Sequence, residues 1–448
     1  MEQIKNFPAG FLESLENCDG FDKERFMAAH AVNPPTSIRI NPEKLAVDSI
    51  TEDPVPWFEG AYYLPARPSF TLDPLFHAGA YYVQEASSMF SGYILKQVCD
   101  LKKPLRILDL CAAPGGKSTL IASLLSGESL LISNELIRNR ASVLKENIIK
   151  WGNHQVVVTA NEAADFSGLR NYFDIIFVDA PCSGSGLFRK DPASMKEWSR
   201  ENVLMCSRRQ NKILDDVRPA LKTGGFLIYS TCSYSKEEDE DIIEQCIKNN
   251  NWECIKISLP DNTGIIENKF GYRFYPDKIQ GEGFFISALK KINDGENESD
   301  VYPGEITKTN ENEQEIISKW INNTAQFTFH KKGNAIFAAD KKLFGEINRL
   351  QSKLNLIKSG VEIGEIKNNE LVPSHEMALC TGIKKLSPTV EVDLPVALNY
   401  LRKNTIELDQ LNTGWHLITY KNIPLGWVKI LPGRVNNYYP TGWRIRNL

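Results

Sequence analysis

Between residues 76 and 292, short apolar runs alternate with stretches whose apolar residues recur every three or four positions. The runs are "LRILDL", "SLLISN", "QVVVT", "DIIFVD", "FLIYST" and "GFFISAL". Strand-length runs separated by helical periodicity predict an α/β unit, a mostly parallel sheet with helices on both faces. In such sheets ligands bind beyond the carboxyl ends of the strands.

The flanking regions read differently. Residues 1–75 open with a helical pattern around Phe11, Leu12 and Leu15 and continue into the alternating "TSIRINPEKL", predicting a small α+β module. Residues 293–314 are polar and acidic, with Val301, Tyr302 and Ile306 as the main apolar side chains, and read as a linker. Residues 315–372 read as a further α/β segment. The tail, 373–448, carries "GWHLITY" and "IPLGWVKIL" between glycine and proline breaks, predicting a small β barrel or sandwich. It holds nine Lys and Arg against five Asp and Glu, interleaved with Trp415, Trp427, Trp443, Tyr438 and Tyr439. Basic plus aromatic suits RNA contact, and an ordinary β core with a solvated surface fits equally well.

Composition narrows the class. At 448 residues the chain exceeds one hydrophobic core, and 42% apolar with 24% charged residues is globular. A net charge of -4 argues against a protein that coats nucleic acid indiscriminately, while leaving room for a local basic groove. The nine cysteines form no C-x-x-C pair, so neither a zinc site nor a disulfide framework is expected. With no secretory leader pattern and no long apolar run, a cytoplasmic, membrane-free monomer is expected.

"LRILDLCAAPGGKSTLIASLL" is a strand, a tight small-residue turn and a helix. Gly115 and Gly116 lack a Cβ, which lets a ligand approach the backbone. The spacing matches neither the P-loop nor the G-x-G-x-x-G fingerprint. Glu135 closes the second strand run 24 residues after Cys111, where an acid can accept from both ribose hydroxyls. The third run ends near Asn161 and Glu162, positions that could face an adenine or its ribose. Ribose recognition without a phosphate cradle points to S-adenosylmethionine.

The fourth run ends in "DAPC", Asp179 to Cys182, and the fifth in "YSTCSYS", Tyr229 to Ser235. Parallel strands bring both ends to the rim that carries the cofactor loop. Carbon 5 of a pyrimidine is too weakly nucleophilic to take a methyl group unaided; a thiolate added to carbon 6 activates it. One cysteine would start such a cycle and a second could help end it. Lys117 or Arg189 would help ionise the thiol, and Asp179 could hydrogen-bond N3 and the exocyclic amine of cytosine. Gly184 and Gly186 are expected to keep the backbone close to the base. Cys18, Cys99, Cys206, Cys246, Cys254 and Cys380 read as packing residues, and Cys111 as packing beneath the cofactor.

Together "DLCAAPGGKS", "NE" with Arg140 following, "DAPCSGSGLFRKDP" and "YSTCSYSKEEDE" resemble the Sun family of RNA 5-methylcytosine methyltransferases. "GAYYVQEASSM", "GEGFFISAL", "LGWVKI" and "NNYYPTGWRI" extend the likeness to its ribosomal RNA methyltransferase F branch. The resemblance implies a Rossmann-like methyltransferase core and a PUA-like RNA-binding tail. It implies Cys232 as nucleophile, with Cys182 assisting product release. Its cofactor residues fall on Cys111, Ala112, Ala113, Pro114, Gly115, Gly116 and Lys117, and on Glu135, Glu162 and Asp179. At 162 that branch more often has aspartate. The implied substrate is small-subunit ribosomal RNA; tRNA, or a catalytically silent role in assembly, are the alternatives.

Overall fold

The structure, a computed structural model, describes residues 7–47, 50–248, 252–292, 306–408 and 411–446. Most of the expected linker, 293–305, lies outside the described residues. The N-terminal module carries α1 (Phe11–Ser14), α2 (Lys23–His30) and an antiparallel sheet of β1 (Thr36–Ile40), β2 (Ala61–Leu64) and β3 (Tyr81–Val83), with α3 (Pro74–His77) between the last two. It therefore runs past residue 75. The apolar pattern of "GAYYV" marks a strand but not the sheet that takes it.

The catalytic sheet is built on β4 (Arg106–Asp109), β5 (Leu130–Asn134), β6 (Val156–Thr159), β7 (Phe173–Asp179) and β8 (Leu221–Thr231), all parallel, in spatial order β6-β5-β4-β7-β8. Beyond β8 it continues antiparallel through β9 (Trp252–Cys254), β10 (Ile266–Glu267), β11 (Tyr272–Phe274) and β12 (Phe284–Lys291). The parallel core is as expected, and antiparallel strands extend it at both ends.

Successive side chains in these strands point to opposite faces. Ile107, Leu131, Val156, Val158, Ile175 and Phe177 pack with α4 (Ala86–Val98), α5 (Gly116–Ala122) and α6 (Arg138–Trp151). Leu108, Leu130, Ile132, Val157, Ile176 and Val178 pack with α7 (Arg200–Val217) and α8 (Glu240–Lys248) on the other face. With both faces covered, the strands are continuously apolar.

After the linker come β13 (Thr307–Lys308), already within the stretch read as linker, and α9 (Glu311–Ser318), which Asn310 starts with a capping box to Glu313. An antiparallel sheet of β13, β14 (Phe327–Lys332), β15 (Ala335–Asp340), β17 (Val361–Lys367) and β18 (Glu370–Pro373) follows. This segment is not separate from the catalytic core. Its α10 (Phe344–Gln351) packs Ile347 and Leu350 under the catalytic sheet, and β16 (Leu356–Lys358) pairs with the edge strand β6.

The tail folds as α11 (His375–Leu379), α12 (Leu394–Arg402) and a sheet of β19 (Thr389–Glu391), β20 (Gly414–Tyr420), β21 (Ile423–Leu431) and β22 (Arg434–Asn437). Three of its five conspicuous aromatics are core: Trp415, Trp427 and Tyr439 are buried, while Tyr438 is exposed and Trp443 half-buried. Sequence spacing does not separate these: Trp415 and Trp427 share one face of the sheet, and the other three aromatics follow its last strand, outside any periodic pattern. The tail shares one cluster with the N-terminal module, where Ile38, Tyr62 and Tyr81 meet Tyr400, Leu401 and Tyr439. No helix among the described residues is long and apolar enough to cross a membrane.

Because Leu350 is fully buried against the catalytic sheet, Leu350→Ala is expected to cost about 2–5 kcal/mol. Urea unfolding of that variant should keep one transition shared with the catalytic core; a separate, early transition for residues 306–373 would contradict the joint core.

Candidate active site

The parallel strands end on one rim, and there the chain turns into the loop Leu110–Gly115. Leu110 N donates to Phe177 O at 2.9 Å and Ala112 N to Asn134 O at 2.8 Å, so the loop is sewn to strand ends on both sides. Gly115 starts α5 at φ 114°, a conformation that side chains disfavour. Arg140 donates to Ala113 O at 3.0 Å and Asn147 to Pro114 O at 2.8 Å, fixing the loop from α6. Cys111 packs into the sheet core, and burial pushes its thiol well above the usual range, which makes it a packing residue.

Glu135 is buried at the end of β5. One oxygen accepts from Ile137 N at 2.9 Å and the other pairs with Arg140 at 3.2 Å, so its orientation is set before any ligand arrives. Glu162 behaves differently: it is exposed and closes a capping box with Asp165 at a short helical turn. Asn161, beside it, is buried and accepts from Asn355 N at 2.9 Å.

Cys182 and Cys232 come together across 50 residues of sequence, with their sulfurs 3.2 Å apart. The contact with Cys232, then burial, pushes the Cys182 thiol well above the usual range, which keeps it protonated. Asp179 pairs with Lys117 at 2.8 Å and accepts from Ser230 Oγ at 2.7 Å; its side chain is 36% exposed, leaving lone pairs open to the rim. Lys117 also lies 5.1 Å from the Phe284 ring centre.

Two expectations are corrected. Arg189 is not available to a rim thiol, because its guanidinium is buried against Glu282 at 2.9 Å and Gly281 O at 2.6 Å. Gly186 serves packing rather than the base: its N–H donates to Cys232 O at 2.7 Å, and a Cβ there would lie 2.4 Å from Gly283 O. Close backbone approach looks the same in sequence whether the neighbour is a ligand or another loop.

Glu238 and Asp109 are two further carboxylates at the site that the sequence patterns do not single out. Glu238 is fully buried, and its carboxylate accepts from Ser183 N at 2.7 Å, Ser183 Oγ at 2.5 Å, Ser233 Oγ at 2.6 Å and Gln210 at 3.4 Å. One side chain thereby ties the Cys182 loop to the Cys232 loop. Burial raises its carboxyl, and these donors pull it back. Behind it, Arg273 pairs with Glu240 and, at 3.3 Å, with Asp239, which accepts from Thr231 Oγ1 at 2.5 Å. Asp109 lies beneath the Leu110–Gly115 loop, fully buried, accepting from Ser118 Oγ at 2.6 Å; burial pushes its carboxyl up to about 7. A lone acid inside "LRILDL" was the available signal for Asp109.

Known proteins match along the chain. The model described as 16S rRNA methyltransferase RsmB/F matches residues 96–290, the N-terminal domain of 16S rRNA methyltransferase RsmF matches 7–86, and the methyltransferase RsmF PUA domain matches 387–445. Ribosomal RNA small subunit methyltransferase F of Aeromonas salmonicida is 31% identical over 432 residues, 90% of each chain, and that of Shewanella woodyi is 28% identical over 429 residues, 90% of this chain and 89% of the relative. A methyltransferase homologue from Pyrococcus horikoshii superposes with a TM-score of 0.52 at 26% identity, over 64% of this chain and all of its own. NSun6 from Pyrococcus horikoshii, solved with SFG, superposes with a TM-score of 0.55 at 22% identity, over 65% of this chain and all of its own.

The fold and these matches define an RNA methyltransferase of the Sun type. Within that class the chain belongs to the ribosomal RNA small subunit methyltransferase F family.

The Asp109 carboxyl keeps its proton in the folded chain at pH values where the unfolded chain has lost it. Stability therefore falls as pH rises from about 4 to about 7, by about 4 kcal/mol from this group. Asp109→Asn removes the ionisation, so its unfolding free energy from denaturant titration should gain about 2–3 kcal/mol more at pH 8 than at pH 5 relative to the parent. An equal difference at both pH values would contradict this.

Proposed function

We propose that the chain methylates carbon 5 of cytosine in small-subunit ribosomal RNA, with Cys232 forming a covalent bond to carbon 6. The observation that carries the reading is the pair of rim sulfurs 3.2 Å apart, beside the Lys117–Asp179 ion pair.

The rim suits S-adenosylmethionine. Glu135, held by Ile137 N and Arg140, presents its remaining lone pairs to ribose hydroxyls, and the backbone of residues 111–117, Cβ-free at Gly115 and Gly116, admits the close approach of a ligand. Glu162 would reach the adenosine end from its exposed position on the rim. Arg140 would steady both Glu135 and Ala113 O. When bound, S-adenosylmethionine supplies an electrophilic methyl group. The SFG of the NSun6 structure, an analogue of that cofactor, accords with this choice.

A carboxylate has about four lone-pair sites, and two of Asp179's are used by Lys117 and Ser230. The rest can accept from the exocyclic amine of cytosine, which uracil lacks. Lys117 places positive charge where negative charge develops on the ring as the Cys232 sulfur adds to carbon 6. After methylation the carbon 5 proton leaves to a base, the bond between sulfur and carbon 6 breaks, and the departing Cys232 thiolate takes a proton. The protonated Cys182 thiol is within 3.2 Å of it, which suits a role in release. The base must be unstacked to reach the rim, so a loop, junction or assembling particle is the fitting substrate.

Cys232→Ala should abolish both methyl transfer and the covalent enzyme–RNA species on a denaturing gel. Cys182→Ala should accumulate that species while turnover falls at least a hundredfold. The reverse pattern, with Cys182→Ala alone unable to form the adduct, would exchange the two roles.

A further inference from the structure

We propose that Gln210, on α7, is a positioning residue for Cys182 alone, aiming its thiol at the departing sulfur of Cys232; the proposal rests on the reading of the site given above. α7 buries four side chains, and three of them, Val203, Leu214 and Val217, are apolar. The fourth is Gln210, which is fully buried, and its Oε1 has no hydrogen-bond partner among the described residues. A buried oxygen without a donor costs free energy that leucine or methionine would not incur at the same place, so packing does not account for the residue. What the amide supplies is its donor end.

Nε2 donates to Pro181 O at 3.0 Å and to Glu238 Oε1 at 3.4 Å. Both targets are acceptors, so the amide has one orientation; turned over, it would set oxygen against oxygen. The shorter bond is the stronger, and it falls on the peptide group that joins Pro181 to Cys182. The next peptide group, between Cys182 and Ser183, is held by Ser183 N, which donates to Glu238 Oε1 at 2.7 Å. Peptide groups are planar, so pinning the plane on either side of a residue fixes its φ and ψ. The direction of the Cys182 side chain is thereby set by Gln210 from one side and Glu238 from the other, and it brings the sulfur within 3.2 Å of Cys232 Sγ.

Other groups hold the Cys232 loop. Cys232 O accepts from Gly186 N at 2.7 Å, Ser233 Oγ donates to Glu238 Oε2 at 2.6 Å, and Tyr234 N donates to Ser185 Oγ at 3.0 Å. Gln210 meets Glu238 on Oε1, the oxygen that serves Ser183 N, whereas Ser233 is on Oε2. Loss of the amide should therefore spare addition of Cys232 to carbon 6 and methyl transfer. The step it slows is release. There a base takes the carbon 5 proton, the electron pair left behind forms the ring double bond, the bond between sulfur and carbon 6 breaks, and the Cys232 thiolate takes the proton of the Cys182 thiol.

The test is Gln210→Met in the full chain, with a side chain of similar length and no amide, assayed on transcribed small-subunit ribosomal RNA. Single-turnover methyl transfer and S-adenosylmethionine affinity should stay within about twofold of the parent, while steady-state turnover falls at least about tenfold and the covalent enzyme–RNA species accumulates on a denaturing gel. Gln210→Leu, which also lacks the amide, should behave alike. Combining either with Cys182→Ala should lower turnover no further than Cys182→Ala alone, because the group being aimed is gone. Parental turnover in both variants, a single-turnover rate that falls with the steady-state one, or an additional loss in the double variant would overturn the proposal. So would loss of S-adenosylmethionine binding in both, which would make Gln210 a residue of the fold. If Cys182→Ala accumulates adduct and the Gln210 variants do not, the assignment of Gln210 alone falls; if Cys182→Ala forms no adduct, the reading of the site falls and takes the assignment with it.

Discussion

Glu238 is a buried carboxylate that trades water for amide and hydroxyl donors from two loops far apart in sequence. A buried charge is tolerable only when such donors replace its hydration, so the residue holds the loops as firmly as they hold it. Ser183 follows Cys182 and Ser233 follows Cys232, and each reaches the same Glu238 oxygen, at 2.5 and 2.6 Å. The sulfur separation of 3.2 Å is a consequence of that anchoring. Gly186, whose N–H meets Cys232 O with no space for a side chain, closes the same junction from below.

The Leu110–Gly115 loop is braced from outside the catalytic sheet. Arg39 of the N-terminal module is buried and donates to Thr119 Oγ1 at 2.7 Å, Gln84 Oε1 at 3.0 Å and Gly116 O at 3.3 Å, while its guanidinium lies 4.5 Å from the Trp151 ring centre. That module in turn shares its core with the tail. The terminal parts of the chain thus form one support around the loop.

Much of this was legible in the sequence. Parallel strands covered on both faces are continuously apolar, so β4 to β8 announce themselves, and the loop from Cys111 to Lys117 follows from small residues between a strand and a helix. Cys182 and Cys232 could be placed on one rim by topology alone. What stayed hidden depends on partners. Glu238 reads as one more surface acid in "SKEEDE", and Arg189 as a free cation, until the carboxylates and hydroxyls opposite them are known. Likewise α10 and Leu356–Lys358 carry ordinary apolar periodicity, and nothing in it says that their partner is a sheet formed some 200 residues earlier.

In the proposed reaction the two cysteines depend on Glu238, which holds their loops together. Removing the carboxylate strands the donors of Ser183 and Ser233, and the loops should part without disturbing Glu135 or the 111–117 loop. The direct measurement is adduct formation with 5-fluorocytosine-containing RNA alongside S-adenosylmethionine affinity, for Glu238→Ala and the isosteric Glu238→Gln. Cofactor affinity should stay within about twofold of the parent in both, while adduct formation should slow at least a hundredfold in Glu238→Ala and recover in part in Glu238→Gln. Adduct formation at the parental rate in a folded Glu238→Ala would contradict it.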